Sequence, residues 1–161
     1  MLPPSPKTVA TSFYTSFTQA DAAGMAACYH PEVRFSDPVF GNLTHTEVCA
    51  MWQMLLERSQ GNLQIEFKVL SSNESGASVE WIARYPFGKP KRPVVNVIHA
   101  DLKMRDGLIV LHEDHFDFWH WSKQALGWSG WLLGWTPFLR NKVGQQSKQL
   151  LAKYLSKNAR G

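Results

Sequence analysis

The chain has 161 residues, 44% of them hydrophobic, with two cysteines and a formal charge of +4, enough for one globular domain with a substantial core. No run approaches the roughly 18 apolar residues of a membrane span, and the opening MLPPSPK has no apolar stretch of the secretory-signal kind, so a cytoplasmic protein is expected. The charge is uneven: residues 1–117 carry 10 Lys/Arg against 13 Asp/Glu, whereas residues 118–161 carry 7 Lys/Arg and no acid.

Ser5-Pro6 makes an N-cap and N1 pair and predicts a helix over about residues 6–20. Val9, Phe13, Phe17 and Ala20 fall on one side of it, with Tyr14 alongside. Asp21 is placed to cap a short helix over 22–29, which Pro31 stops. Val33–Asp37 reads as a short strand ended by Pro38. Thr44 and Glu47 have capping-box spacing and open a helix to about Arg58, with Gly61 beyond its end. Cys28 and Cys49 both fall in predicted helices and read as free thiols.

From there the pattern turns to β. Residues 63–70 and 78–85 alternate and are separated by Ser-Ser-Asn-Glu-Ser-Gly, a turn cluster. A loop over 86–93, with Lys89, Lys91 and Arg92, leads into two long strands joined at Asp106-Gly107, a pair suited to a tight hairpin. On the second of these, His112, Asp114 and Phe116 share one face, and Glu113, His115 and Asp117 share the other. Helices first and a four-strand antiparallel meander afterwards predict an α+β domain with the helices on one face of the sheet.

The tail differs. Phe118-Trp-His-Trp121 precedes a segment dense in tryptophan and glycine, 126–138. After it, Leu139, Val143, Leu150, Leu151, Tyr154 and Leu155 fit one face of a basic terminal helix. Two readings stand for this tail: extra core folded over a pocket or the sheet, or a peripheral contact with a membrane interface, where Trp and Lys/Arg are favoured. Nucleic-acid binding is not expected, because the terminal helix supplies charge without stacking platforms.

The opening helix with Phe13-Tyr14 and Phe17, the Asp21 break, Val33-Arg-Phe-Ser-Asp37-Pro38 and the late hairpin, in this order, resemble the nuclear transport factor 2-like superfamily. Within it they are most similar to the SnoaL-like and ketosteroid isomerase-like proteins. The resemblance covers residues 6–118 and leaves 119–161 as a Trp-rich segment and basic helix packed on, or extending, that domain. It implies a curved antiparallel sheet wrapped around the N-terminal helices as a cone, a deep apolar pocket, and commonly a homodimer through the sheet's outer face. The ketosteroid isomerase base falls on Asp37, but the oxyanion-hole tyrosine falls on Phe13 and its acid on His99, so steroid isomerisation by that arrangement is not expected. The remaining grouping of histidines with Asp resembles, in residue types, that of scytalone dehydratase.

The candidate catalytic residues are therefore Asp37 as base, His112 with Asp114 as a proton-relay pair, and His99 as a polariser of substrate oxygen. Phe13, Tyr14, Phe17, Trp52, Trp81 and Phe116 are the candidate substrate-binding residues. His112-Glu-Asp-His115 is not read as a metal site, since i and i+3 on a strand face opposite ways. No phosphate cradle or nucleophile elbow is present, and no cofactor is expected. The expected function is acid–base isomerisation, dehydration or cyclisation of a small apolar oxygenated molecule. A non-catalytic ligand-binding or peripheral-membrane module of the same fold is the alternative.

Overall fold

A computed structural model describes all 161 residues. The elements, in chain order, are α1 (Pro6–Thr18), α2 (Ala22–Ala27), β1 (Tyr29–Asp37), β2 (Gly41–Leu43), α3 (His45–Ser59), β3 (Gln64–Ser72), β4 (Gly76–Phe87), β5 (Arg92–Arg105), β6 (Leu108–His115), α4 (Phe118–Leu126), α5 (Trp128–Leu133) and α6 (Pro137–Asn158). The strands form one curved, unclosed sheet in the order β2-β1-β6-β5-β4-β3. β1 runs parallel to β6, and every other neighbouring pair is antiparallel. This is the α+β architecture expected from the sequence: the expected Val33–Asp37 strand joins the four-strand meander as part of β1, and β2 is a further short strand.

The helix starts follow local chemistry. The Ser5 hydroxyl accepts from Thr8 N, and Pro6 occupies the first turn of α1. The Glu47 carboxylate reaches back to Thr44 N and its hydroxyl at the start of α3, an arrangement worth about 1 kcal/mol. β1 begins earlier than predicted, at Tyr29. Pro31 ends the preceding helix but is carried within the strand, where the register against β6 is irregular between Tyr29 and Arg34. The predicted 86–93 loop shrinks to a turn because β4 and β5 extend to Phe87 and Arg92. At the hairpin tip Asp106 and Gly107 have φ of 55° and 76°, the left-handed pair that a two-residue turn demands.

One apolar face of each of α1 and α3 meets the inner face of the sheet, and α2 packs on both helices. Phe13, Phe17, Met51 and Trp52 pack there against Val79, Trp81, Ile98 and Leu102. Full burial of each such side chain contributes about 1.5–3 kcal/mol. α6 lies along α3, where Leu151 enters the same core and the Tyr154 hydroxyl donates to Glu57 Oε1 at 2.9 Å. A second, smaller core joins Val94 of β5 to Phe118, Trp121 and Ala125 of α4 and Leu139 of α6. Cys28 and Cys49 are free and partly buried. The glycines of the tail serve close packing: a Cβ at Gly130 would collide with the Ser122 carbonyl across the α4–α5 corner.

Candidate functional site

Between the sheet's inner face, α3 and the tail lies a cavity of about 770 Å³, within the range of small-molecule sites. Phe17, Trp52, Trp81, Phe116, Trp121 and Leu126 supply much of its apolar lining. Inside this wall stand two carboxylates, Asp37 at the end of β1 and Asp114 on β6, with the buried amide Asn96 of β5. Arg58, Lys89 and Lys91 also border it and are themselves exposed.

Asp114 is held by a directional chain of hydrogen bonds. Trp52 Nε1 donates to the Tyr29 hydroxyl at 2.9 Å. That hydroxyl lies 2.8 Å from His112 Nδ1. A carboxylate oxygen only accepts, so Nε2–H of His112 donates to Asp114 Oδ1, 2.9 Å away, and in that tautomer Nδ1 takes the proton of the Tyr29 hydroxyl. Trp81 Nε1 donates to the same Oδ1 at 3.3 Å. Oδ2 of Asp114 has no protein donor, and the residue borders the cavity. The chain is sealed in aromatic packing: His112 is fully buried, with Phe13 and Phe35 edge-on to it at 5.5 and 5.0 Å and Trp52 stacked at 6.2 Å.

Asp37 sits in the turn that Pro38 begins, where its Oδ1 accepts from Val39 N and Phe40 N. It thus caps a turn and borders the cavity at once. Burial pushes its carboxyl up to about 6; the Phe40 and Val39 N–H groups pull the other way, and the charge of Asp114 pushes further up. Two carboxylates in one apolar enclosure, one tied down and one titrating near neutrality, is an arrangement suited to moving a proton.

Phe17, Trp52, Trp81, Phe116, Asp37 and Asp114 are brought together around the cavity; four other expected residues are placed elsewhere. His99 points to the outer face, its side chain 55% exposed and 3.1 Å from Glu80 Oε2, and so cannot polarise a bound substrate. The cause is a β-bulge. A regular hairpin closed at Asp106-Gly107 would set His99 opposite Asp114. Met104 pairs with Ile109 but Lys103 pairs with Leu111, leaving Val110 unpartnered. The one-residue slip brings Ala100 opposite Asp114 and turns His99 out beside His115. His112 does face inward, but behind the cavity wall, where it positions Asp114 and touches no ligand space. Phe13 and Tyr14 are likewise fully buried and form core beneath the wall. The Tyr14 ring stacks on Phe67 at 5.5 Å, and its hydroxyl has no hydrogen-bond partner; burial, then the charge of Asp114, push that hydroxyl well above its ordinary value.

Tyr29, Asn96 and Trp121 were not singled out from sequence. Tyr29 belongs to the same period-two series as Val33, Phe35 and Asp37, a signal masked by reading Pro31 as the end of a helix. Asn96 is the lone polar residue in the series Val94, Asn96, Ile98, Ala100 and Leu102, whereas the opposite series carries His99, Asp101, Lys103 and Arg105; that contrast marks the inner face.

The SnoaL-like domain family matches residues 10–112, which include β1 with Asp37 and β6 as far as His112. The chain belongs to the SnoaL-like family. No curated protein matches it in sequence. Among solved structures, an LEH-like epoxide hydrolase of M. tuberculosis is 19% identical, with 74% of this chain and 87% of that one covered and a TM-score of 0.57. A proposed polyketide cyclase from Silicibacter sp. is 14% identical over 78% of this chain and 98% of its own, with a TM-score of 0.62. The protein TerC, crystallised with polyporic acid, is 18% identical over 70% and 91%, with a TM-score of 0.59. At these identities the likeness establishes the nuclear transport factor 2-like fold. The SnoaL-like match stops short of Asp114 and of the whole tail, so the second carboxylate and the α4–α6 wall of the cavity lie outside it.

Proposed function

We propose that this SnoaL-like protein catalyses a general acid–base reaction, an isomerisation, dehydration or cyclisation, on a small, flat, apolar oxygenated molecule. The observation that carries the reading is the pair of cavity carboxylates in unlike environments. Asp37, with its carboxyl at about 6, accepts a substrate proton when ionised and returns it to a second position. Asp114, fixed through Oδ1 by His112 and Trp81, presents its free oxygen Oδ2 to the substrate. His112 and Tyr29 are positioning residues. The aromatic rings of Phe17, Trp52 and Trp81 present flat apolar surfaces, which suits a planar substrate.

The test is deuterium uptake from D2O into cyclic ketones and oxygenated polycyclic or terpenoid compounds that raise the melting temperature. Wild type is expected to exchange a proton beside the carbonyl, with a rate that rises with pH through about 6 as Asp37 ionises. Asp37→Asn is expected to lose about a hundredfold or more of that rate while still binding. Compounds that stabilise both proteins equally, with no exchange in either, would assign a ligand carrier and overturn the catalytic reading.

A further inference from the structure

Every exposed tryptophan of the chain, and its only strongly exposed phenylalanine, lies on one corner. Trp128 is 78% exposed, Trp135 70% and Phe138 69%, with Trp119, Trp131, Leu132 and Leu133 also open to solvent. Trp128, Trp131 and Leu132 share one face of α5 by their i, i+3, i+4 spacing. The rings are held in place: Trp119 Nε1 donates to the Trp131 carbonyl at 3.1 Å, and Trp135 Nε1 to the Leu132 carbonyl at 2.9 Å. Trp128 and Trp131 pack edge to face at 6.0 Å. What they offer outward is mostly hydrocarbon, and a contiguous apolar patch of this kind on a folded protein marks a contact surface.

The segment that carries the patch is basic, although Asp117 caps the start of α4. From Phe118 to the C-terminus there are seven Lys/Arg and no acid. Beside the tryptophans is a notch of about 360 Å³ lined by Arg92, Lys123, Gly127, Trp128 and Trp131. The Arg92 guanidinium packs against Gly127, and Lys123 Nζ lies 4.2 Å over the Trp119 ring. Two cations with aromatic walls and no carboxylate in the lining fit a phosphate group. Tryptophan beside Lys/Arg is the composition of proteins that sit in the headgroup layer of a bilayer. No helix is long and apolar enough to cross a membrane, so the contact is one of lying on the surface.

We infer that the α4–α6 corner docks on an anionic phospholipid surface, with Trp128, Trp131, Trp135 and Phe138 entering the interface and Arg92 and Lys123 holding a lipid phosphate. The inference is independent of the acid–base reading. It has a bearing on it, because α4 turns Trp121 and Leu126 to the cavity while carrying Trp119 on its outer side. Docking would set an apolar cavity one helix away from the lipid.

The experiment is co-sedimentation of the full chain with vesicles of phosphatidylcholine, with and without phosphatidylserine, combined with quenching of tryptophan fluorescence by brominated lipid. Binding that requires phosphatidylserine, falls with salt and is accompanied by quenching is expected. Trp128→Ser with Trp135→Ser should weaken partitioning about tenfold or more and remove most of the quenching. Arg92→Gln with Lys123→Gln should weaken binding to the anionic vesicles by a similar factor. All four positions are partly or fully exposed, and the melting temperature of each variant checks that it folds. Absence of vesicle binding by wild type would overturn the inference. So would binding without quenching, or binding unchanged in the tryptophan variant. A wild-type dimer that becomes a monomer in the tryptophan variant, with no lipid binding, would assign the patch to a second copy instead.

Discussion

Trp52, Trp81 and Trp121 lie inside the protein, and each ring N–H donates to a side chain: to Tyr29, to Asp114 and to Tyr85. Trp119 and Trp135 lie outside, and their ring N–H groups go to backbone carbonyls. The residue type is the same, but the surroundings separate the roles. Where a curved sheet wraps the ring, the indole is core, and its polar edge must find a specific partner, since an unpaired buried donor is costly. That requirement turns the inner tryptophans into organisers of the site. At the α4–α5 corner no sheet covers the ring, so the indole contributes surface and orders nothing in the interior.

The largest effect that distinguishes the two regions is on stability. Phe13→Ala removes a fully buried ring in contact with Tyr14, Tyr29, Trp52 and His112 and is expected to cost about 3–5 kcal/mol in denaturant unfolding. Trp128→Ala should change stability by about 0.5 kcal/mol or less. Comparable losses at both positions would erase the distinction.

A sharper version tests the polar wiring alone. Tyr29→Phe keeps the ring but leaves the Trp52 N–H and His112 Nδ1 unpaired, and is expected to cost about 1–3 kcal/mol. The same variant should slow deuterium exchange by freeing the His112 ring to turn, with little change in ligand affinity. A stability loss with the exchange rate unchanged would mean that the chain from Trp52 to Asp114 serves the fold only.

The smallest expected effect has a definite pH signature. The carboxyl of Asp37 is raised to about 6 from an ordinary value of 3.8, so the folded state holds its proton more tightly than the unfolded chain does. The associated stability is fully present below about pH 4 and is lost as pH rises through about 6. Asp37→Asn, which keeps an oxygen for the Val39 and Phe40 N–H groups, should therefore be more stable than wild type above pH 7, by about 1–2 kcal/mol for a partly exposed carboxyl. The gain should vanish near pH 4. A pH-independent difference would show that Asp37 is not desolvated.

Much of this was legible in the sequence because it rests on local chemistry. The Ser5-Pro6 start, the Thr44–Glu47 box and the Asp106-Gly107 turn fixed element positions to within a few residues, and period-two alternation put Asp114 and Phe116 on the inner face. What could not be read came from offsets between segments. No residue type announces the bulge at Val110 that sets β6 against β5, although the polar series His99, Asp101, Lys103 and Arg105 marks the outer face of β5. Likewise the parallel pairing of β1 with β6 brought Phe35 opposite His112 and Tyr29 within reach of its ring, across more than seventy residues of chain. The cavity wall from α4 and α6 belongs to a tail whose helical pattern was visible but whose docking place was not.

The unpartnered Val110 has a consequence for how such a protein changes over time. The pairs on either side of it, Met104 with Ile109 and Lys103 with Leu111, would close into a regular ladder if Val110 were lost, whereas losing one residue further along would exchange the two faces of the strand beyond it. Loss of Glu113, for example, would set Asp114 opposite Asp101 on the outer face and His115 opposite Ala100 on the inner one, with no codon beyond it altered. A change in length, as readily as a change in letter, can therefore rewrite the chemistry that this scaffold presents to its ligand.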